Sequence, residues 1–284
     1  MKHLVWFIAV IGLLSAKDAL ANTITDAPKA AATLALAQEY PHRSSYPDVP
    51  VITTADLSKE LNAYIVVDVR SPYEYQTLHV RNAVNIPITD KKFFERAKLL
   101  HAENQNKPLV FYCNGKTCKK SYDAVRLAKH AGVDKSMCFD AGILEWAKAN
   151  PDRTVLLGRS PIKETDLITA ERFKLHTLAA KDFESNIGQN TLVLDIRDLA
   201  QRDIALFPFR EERAPLDQTE KLNGVIEKAK SQNKTLLVYD KAGHQIQWFQ
   251  YYLEHKGLKN YYFLKGGSEG YFESTLGAKI GLNK

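Results

Sequence analysis

A chain of 284 residues, 45% hydrophobic and 25% charged, has enough material for two ordinary cores, which excludes a disordered polymer or a disulfide-stapled miniature. The formal charge of +6 is spread along the chain, so it suits small anions as well as nucleic acid, and the export expected from the leader argues against nucleic acid. Three cysteines (Cys113, Cys118 and Cys138) are an odd number, and one thiol must stay unpaired or react. Their spacing is not that of a zinc site and no histidine lies near them in sequence, so neither a metal nor another cofactor is expected.

The chain opens on Met1-Lys2-His3, an apolar run from Leu4 to Leu14, and Ala19-Leu20-Ala21. This pattern predicts a signal peptide over residues 1–21 and a soluble mature protein, periplasmic or secreted. The alternative is an uncleaved anchoring helix, although the run is short for a membrane span. Residues 22–50 form a lead-in segment with an alanine-rich, helix-prone stretch (Ala27 to Gln38) and prolines at 41, 47 and 50. Thr54 or Asp56 is expected to cap a helix through Leu61. Tyr64 to Val67 reads as a buried strand ending in Asp68-Val69-Arg70. A short helix over Pro72 to Leu78, a strand at Ala83 to Ile86 and a helix capped by Asp90 follow.

Leu109 to Tyr112 reads as a second buried strand, stopping at Cys113. A polar loop comes next (Asn114, Gly115, Lys116, Thr117, Cys118, Lys119, Lys120), then a helical pattern from Ser121. Loop N–H groups and a helix N-terminus converging on one spot stabilise negative charge there. They would lower the Cys113 pKa below the free value of about 8.5. The plain alternative is a buried, inert cysteine at a strand end. A strand at Met137 to Phe139 and a helix from Gly142 close a domain spanning 51–150. Short apolar strands alternating with helices predict an α/β fold with a parallel sheet covered on both faces.

Residues 151–176 read as a linker and leading helix, after which the pattern recurs over 177–284. Asp195-Ile196-Arg197 echoes Asp68-Val69-Arg70, and Tyr239-Asp240 echoes Tyr112-Cys113, each pair 127 residues apart. Phe263 to Gly267 echoes Phe139 to Gly142 at nearly the same offset, so the domain is duplicated. The second copy has Asp240 in the place of the cysteine. Its carboxylate is expected to sit in a ring of N–H donors where the first loop would hold an anion. An acid/base pair with His244 is the other reading. Trp248, Phe249, Tyr251, Tyr252, Tyr261 and Tyr262 fall at helix and strand spacings that fit the core or a seam between domains.

On these residues the chain resembles the tandem rhodanese-like (sulfurtransferase) family. The resemblance rests on Asp68-Val69-Arg70, Glu74, His79 with Ala83 to Pro87, Tyr112-Cys113 with Gly115, and Ala141 to Trp146. It departs from the family in three places. Leu78 to Ala83 is poorer in glycine than the usual G-H-I-P-G-A, and the loop after Cys113 is longer. Lys119 stands where related phosphatases close the loop with arginine, and lysine lacks the bidentate fork suited to a phosphoryl group.

The resemblance implies two tandem rhodanese-like domains, the second degenerate, and sulfane-sulfur transfer through a Cys113 persulfide. The residues from Asn114 to Lys120 would hold a small anionic donor such as thiosulfate, and a thiol or cyanide would accept the sulfur. Asp68, Arg70 and His79 would support the site. Cys118 is either a resolving thiol or a small residue buried under the helix, and Cys138 is core. Two other classes stand beside this one: a dithiol redox or oxyanion-handling enzyme acting on selenite or arsenate, and a non-catalytic docking module. Neither nucleic acid nor membrane is an expected partner of the mature chain, and a protein partner is left open.

Overall fold

A computed structural model describes residues 34–104, 107–202 and 204–279. The expected signal peptide and the start of the alanine-rich stretch lie outside the described residues. Described residues 34–48 belong to a unit of their own, in which residues 34–39 are helical (α1) and Arg43–Ser45 make a 3-10 turn. Val49 begins the second unit, which carries both copies of the repeat.

The apolar runs of the first copy build a parallel sheet. Strands β1 (Ile65–Asp68), β3 (Val84–Asn85), β4 (Leu109–Tyr112) and β5 (Ser136–Phe139) lie in the order β3-β1-β4-β5. Val51 adds a single parallel bridge to Cys138 at the outer edge. Every residue of β4 is buried, as a central strand covered on both faces requires. The helices are α2 (Thr54–Lys59), α3 (Pro72–Thr77), α4 (Phe93–Glu103), α5 (Lys120–His130) and α6 (Gly142–Ala149). Phe93 packs on Phe111, and Phe139 meets Trp146 edge-on, which ties α4 and α6 to the sheet.

Two expected caps are displaced by one or two residues. Thr53, not Thr54 or Asp56, accepts the Asp56 N–H and caps α2. Lys92 rather than Asp90 occupies the cap of α4, and Asp90 instead receives the Lys92 N–H and pairs with Arg96 at 2.6 Å. In each case an oxygen three or two residues upstream of the donor gives the shorter reach.

The stretch expected as a linker does more than tether. Within it β6 (Thr154–Leu156) pairs antiparallel with β2 (Leu78–Val80), setting His79 opposite Val155. The leading helix is α7 (Ala170–Leu175).

The second copy contains β7 (Thr177–Leu178), β8 (Thr191–Asp195), β9 (Glu211–Arg213), β10 (Thr235–Tyr239) and β11 (Tyr261–Leu264). They form an all-parallel sheet in the order β7-β11-β10-β8-β9. With Val51 as its outermost member, the first sheet has the same order, so the duplication extends to strand topology. Helices α8 (Ala180–Ser185), α9 (Thr219–Ser231), α10 (Gln245–His255) and α11 (Gly267–Lys279) complete it.

One glycine in each copy fixes how the loop after the central strand meets the last helix. Gly142 has φ +71°, and a Cβ there would lie 2.5 Å from the Gly115 nitrogen. Gly267 has φ +61°, and its Cβ would lie 2.5 Å from the Asp240 carbonyl oxygen. Gly142→Ala is therefore expected to cost roughly 2–4 kcal/mol in urea denaturation, combining backbone strain with displacement of the loop. Gly132→Ala, also at positive φ but facing open space, is expected to cost only about 1–2 kcal/mol. Equal losses would show that the close approach at Gly142 is unimportant.

Candidate active site

Cys113 follows the last residue of β4, and residues 114–119 lead from it into α5. Its carbonyl accepts the Ile143 N–H at 3.0 Å, so the loop and the start of α6 are hydrogen-bonded together. Cys113 is 1% exposed and its sulfur is bonded to that of Cys118, with the two Cα atoms 6.3 Å apart. The expected lone, ionised sulfur is thus corrected for this form of the protein: the pair is a disulfide. Of the two readings of Cys118, burial under the helix is set aside, because the residue is half-buried, lines a cleft and reaches back to Cys113. Cys138 is fully buried in β5 and takes no part in the disulfide.

A polar network grips the first residue of the loop. The Arg70 Nε and Nη2 groups donate to the Asp68 carboxylate, Nη2 also donates to the Leu78 carbonyl, and Nη1 reaches Asn114 Oδ1 at 3.3 Å. Asn114 in turn donates to Glu74 Oε1 at 3.0 Å. The other oxygen of Glu74 closes a capping box with Ser71 at the start of α3. The guanidinium lies 4.9 Å from the ring centroid of Trp248 on α10, so a residue of the second copy packs on the group that holds the first copy's loop. The Asp195–Arg197 pair repeats the motif: Arg197 donates to both oxygens of Asp195 and to the Ile204 carbonyl.

A cleft of about 970 Å³ opens over the loop. The first copy lines it with Asn114, Gly115, Lys116, Thr117, Cys118 and Lys120, and the second with Asp198, Gln201, Lys241, His244, Gln245 and Gln247. Cys118, not Cys113, is the sulfur residue on its wall. Lys116 lies 3.8 Å from Glu145. Lys119 does not line the cleft, which corrects its expected role in binding: α5 starts at Lys120, one residue before Ser121, and leaves Lys119 exposed at the cap. His79 is also off the wall. It stacks on Tyr75, its Nδ1 lies 2.6 Å from the Tyr75 carbonyl, and burial lowers its pKa despite that bond. It packs β2 against α3.

In the second copy a carboxylate stands at the position of the cysteine. Asp240 accepts the N–H groups of Gly243 and Gln245 at 2.6 Å and of Ile246 at 3.4 Å. Burial pushes its pKa up, against the pull of those donors. This loop is shorter: α10 starts two residues sooner after Asp240 than α5 does after Cys113. The extra length in the first copy is where Cys118 resides. His244 is exposed, and its N–H groups are not among the donors to Asp240, which speaks for support rather than acid/base work.

Three details of the site escape a reading of the sequence alone. Glu74 is legible as the end of a Ser-x-x-Glu capping box, but its hold on Asn114 is not. Trp248 is remote in sequence from Arg70. Ser121, fully buried at the start of α5, has a hydroxyl without a hydrogen-bond partner in this form. Burial alone would raise the Glu74 pKa, but Arg70 and the bonds from Asn114 and Ser71 outweigh it and lower the pKa. A depressed carboxylate contributes stability above its unfolded pKa of about 4.3 and loses it as pH falls through the folded value. Glu74→Gln is accordingly expected to cost about 1–3 kcal/mol at neutral pH in urea denaturation, with the gap to wild type narrowing by about pH 3. A gap that does not change with pH would contradict this assignment.

The family profile of the rhodanese-like domain matches residues 53–149. Among curated proteins, an HTH-type transcriptional regulator of Mycobacterium tuberculosis is 39% identical over 100 residues, 34% of this chain and 42% of that protein. A tRNA uridine(34) hydroxylase of an Enterobacter species is 30% identical over 114 residues, 36% of this chain and 32% of that protein. The chain therefore spans less than half the length of these relatives. A solved thiosulfate sulfurtransferase from Pseudomonas aeruginosa is 17% identical and covers 80% of this chain and 42% of its own, with a TM-score of 0.38, too low to carry an argument. Residues 53–149 match the rhodanese-like domain, and the second copy repeats their sheet order with aspartate in place of the cysteine.

Proposed function

We propose that the chain is an exported sulfurtransferase that carries sulfane sulfur on Cys113, taking it from a small anionic donor such as thiosulfate and passing it to a thiol or to cyanide. The observation that carries this reading is the Asp240 carboxylate, which accepts three backbone N–H groups at the position equivalent to Cys113. The same strand–loop–helix arrangement, with sulfur in place of carboxylate, would favour a thiolate and then a persulfide anion. The match of residues 53–149 to the rhodanese-like domain agrees with that chemistry.

The reaction is a double displacement. Once the disulfide is opened, the Cys113 thiolate attacks the outer sulfur of thiosulfate. A sulfur–sulfur bond forms on the enzyme, the one in the donor breaks, and sulfite leaves with its electron pair. An acceptor thiolate or cyanide then attacks the outer sulfur of the persulfide and returns Cys113 to thiolate. Lys120 on the cleft wall would meet the anion, beside Lys116 and Lys241, which pair with Glu145 and Glu269. No proton has to move in either half.

Export rests on the pattern of residues 1–21, and a disulfide between two loop cysteines suits an oxidising compartment. The disulfide also favours dithiol redox chemistry as a second reading. For the first, the test is steady-state turnover of reduced protein with thiosulfate and cyanide. Cys113→Ala is expected to lower thiocyanate and sulfite formation at least about 100-fold, to the uncatalysed background. Retention of the wild-type rate would remove Cys113 from the reaction.

A further inference from the structure

The two sulfurs of the loop are not equivalent: Cys118 is half-buried on the cleft wall, whereas Cys113 lies beneath it at 1% exposure. Starting from the sulfur-transfer reading above, we propose that Cys118 discharges the Cys113 persulfide as hydrosulfide, that the disulfide in the structure is the product of this step, and that a protein dithiol entering the cleft reopens it at Cys118.

The bonds balance as follows. The Cys118 sulfur attacks the inner sulfur of the persulfide, which is Cys113 Sγ. The Cys113–Cys118 bond forms and the bond from Cys113 to its outer sulfur breaks. That sulfur leaves with the electron pair and takes up the Cys118 proton as hydrosulfide. The protein's thiols are oxidised by two electrons and the sulfane sulfur is reduced. A dithiol protein supplies those two electrons. One of its thiolates attacks Cys118 Sγ, the sulfur on the cleft side, and Cys113 departs as thiolate. The second thiol of the partner then resolves the mixed disulfide and frees Cys118. Over the cycle, thiosulfate and a dithiol yield sulfite, hydrosulfide, a disulfide and a proton.

Three features of the molecule favour this route over simple transfer to an outside acceptor. Cys118 occupies the same six-residue loop and reaches bonding distance with no change of fold, so its attack is intramolecular and outpaces dilute external thiols. Attack during reduction is directed, because Cys118 is the sulfur residue on the cleft wall, whereas Cys113 is buried and becomes the leaving group. The cleft, at about 970 Å³, far exceeds the room thiosulfate needs and admits the tip of a protein loop carrying a dithiol. The second copy, with Asp240 and no cysteine, lines the opposite wall and cannot compete for the sulfur.

The test is a single turnover on the full-length protein, reduced with dithiothreitol, freed of it, and mixed with one equivalent of thiosulfate in the absence of other thiols. Wild type is expected to release about one equivalent each of sulfite and hydrosulfide and to finish as the Cys113–Cys118 disulfide by intact mass. Cys118→Ser is expected to release sulfite, hold one extra sulfur on Cys113, and form no hydrosulfide. If wild type instead keeps the extra sulfur with Cys118 as free thiol, the internal discharge is wrong, while the sulfur-transfer reading stands. If Cys118→Ser takes up no sulfur and releases no sulfite, both fall together.

Discussion

One buried guanidinium ties the parts of this molecule together. Arg70 is 1% exposed, and its donors go to the Asp68 carboxylate at the end of the neighbouring strand, to the Leu78 carbonyl and to Asn114 in the cysteine loop. Burial works against its charge, but Asp68 more than compensates, so the guanidinium stays protonated. Removing one partner of such a pair leaves an uncompensated buried charge, a loss of about 3–5 kcal/mol. The bond from Arg70 to Asn114, with Glu74 on the other side of the same amide, sets where the chain turns after Cys113. The start of the loop is thus held by a neighbouring strand and by α3, and its far part by the disulfide and by the Cys118 N–H to the Gly115 carbonyl.

The second copy shows what that architecture does once the chemistry is taken away. Asp195 and Arg197 keep the pair, and the strand order is unchanged, yet the cysteine has become an aspartate that satisfies its own loop. A carboxylate held by three N–H groups satisfies the loop's donors from within the chain. The copy still contributes. Trp248 on α10 covers the Arg70 guanidinium, α10 packs on α3, and the far wall of the cleft comes from residues around 240–247. A domain without a nucleophile therefore shapes the site of its twin.

Much of this could be read in the chain itself. Near-continuous apolar runs such as Leu109 to Tyr112 mark central parallel strands, and two Asp-x-Arg motifs in register mark the duplication. The ring of donors around Asp240 follows from placing a carboxylate where an anion cradle is expected. What escaped depends on contacts between distant segments. The β2–β6 ribbon is made of three-residue strands with no usable periodicity, one of them inside an apparent linker. The contact between Trp248 and Arg70 bridges two copies, and a spacing argument does not extend so far. The pairing of Cys118 with Cys113 is one of two readings the sequence leaves open, and the structure decides between them. Lys119 looked like a ligand because of its position in the loop, but an earlier helix start made it a cap residue.

The disulfide joins structure to chemistry. It places the sulfur that would react beneath the one that faces the cleft, so reduction becomes the condition for activity. After reduction, the account requires Cys113 to be the more acidic thiol, held as an anion by loop N–H groups and the start of α5. The most direct measurement is the pH dependence of Cys113 alkylation by iodoacetamide in reduced Cys118→Ser protein, followed site by site by mass spectrometry. An inflection well below the ordinary thiol value of about 8.5 is the predicted result, and one at or above that value would contradict it.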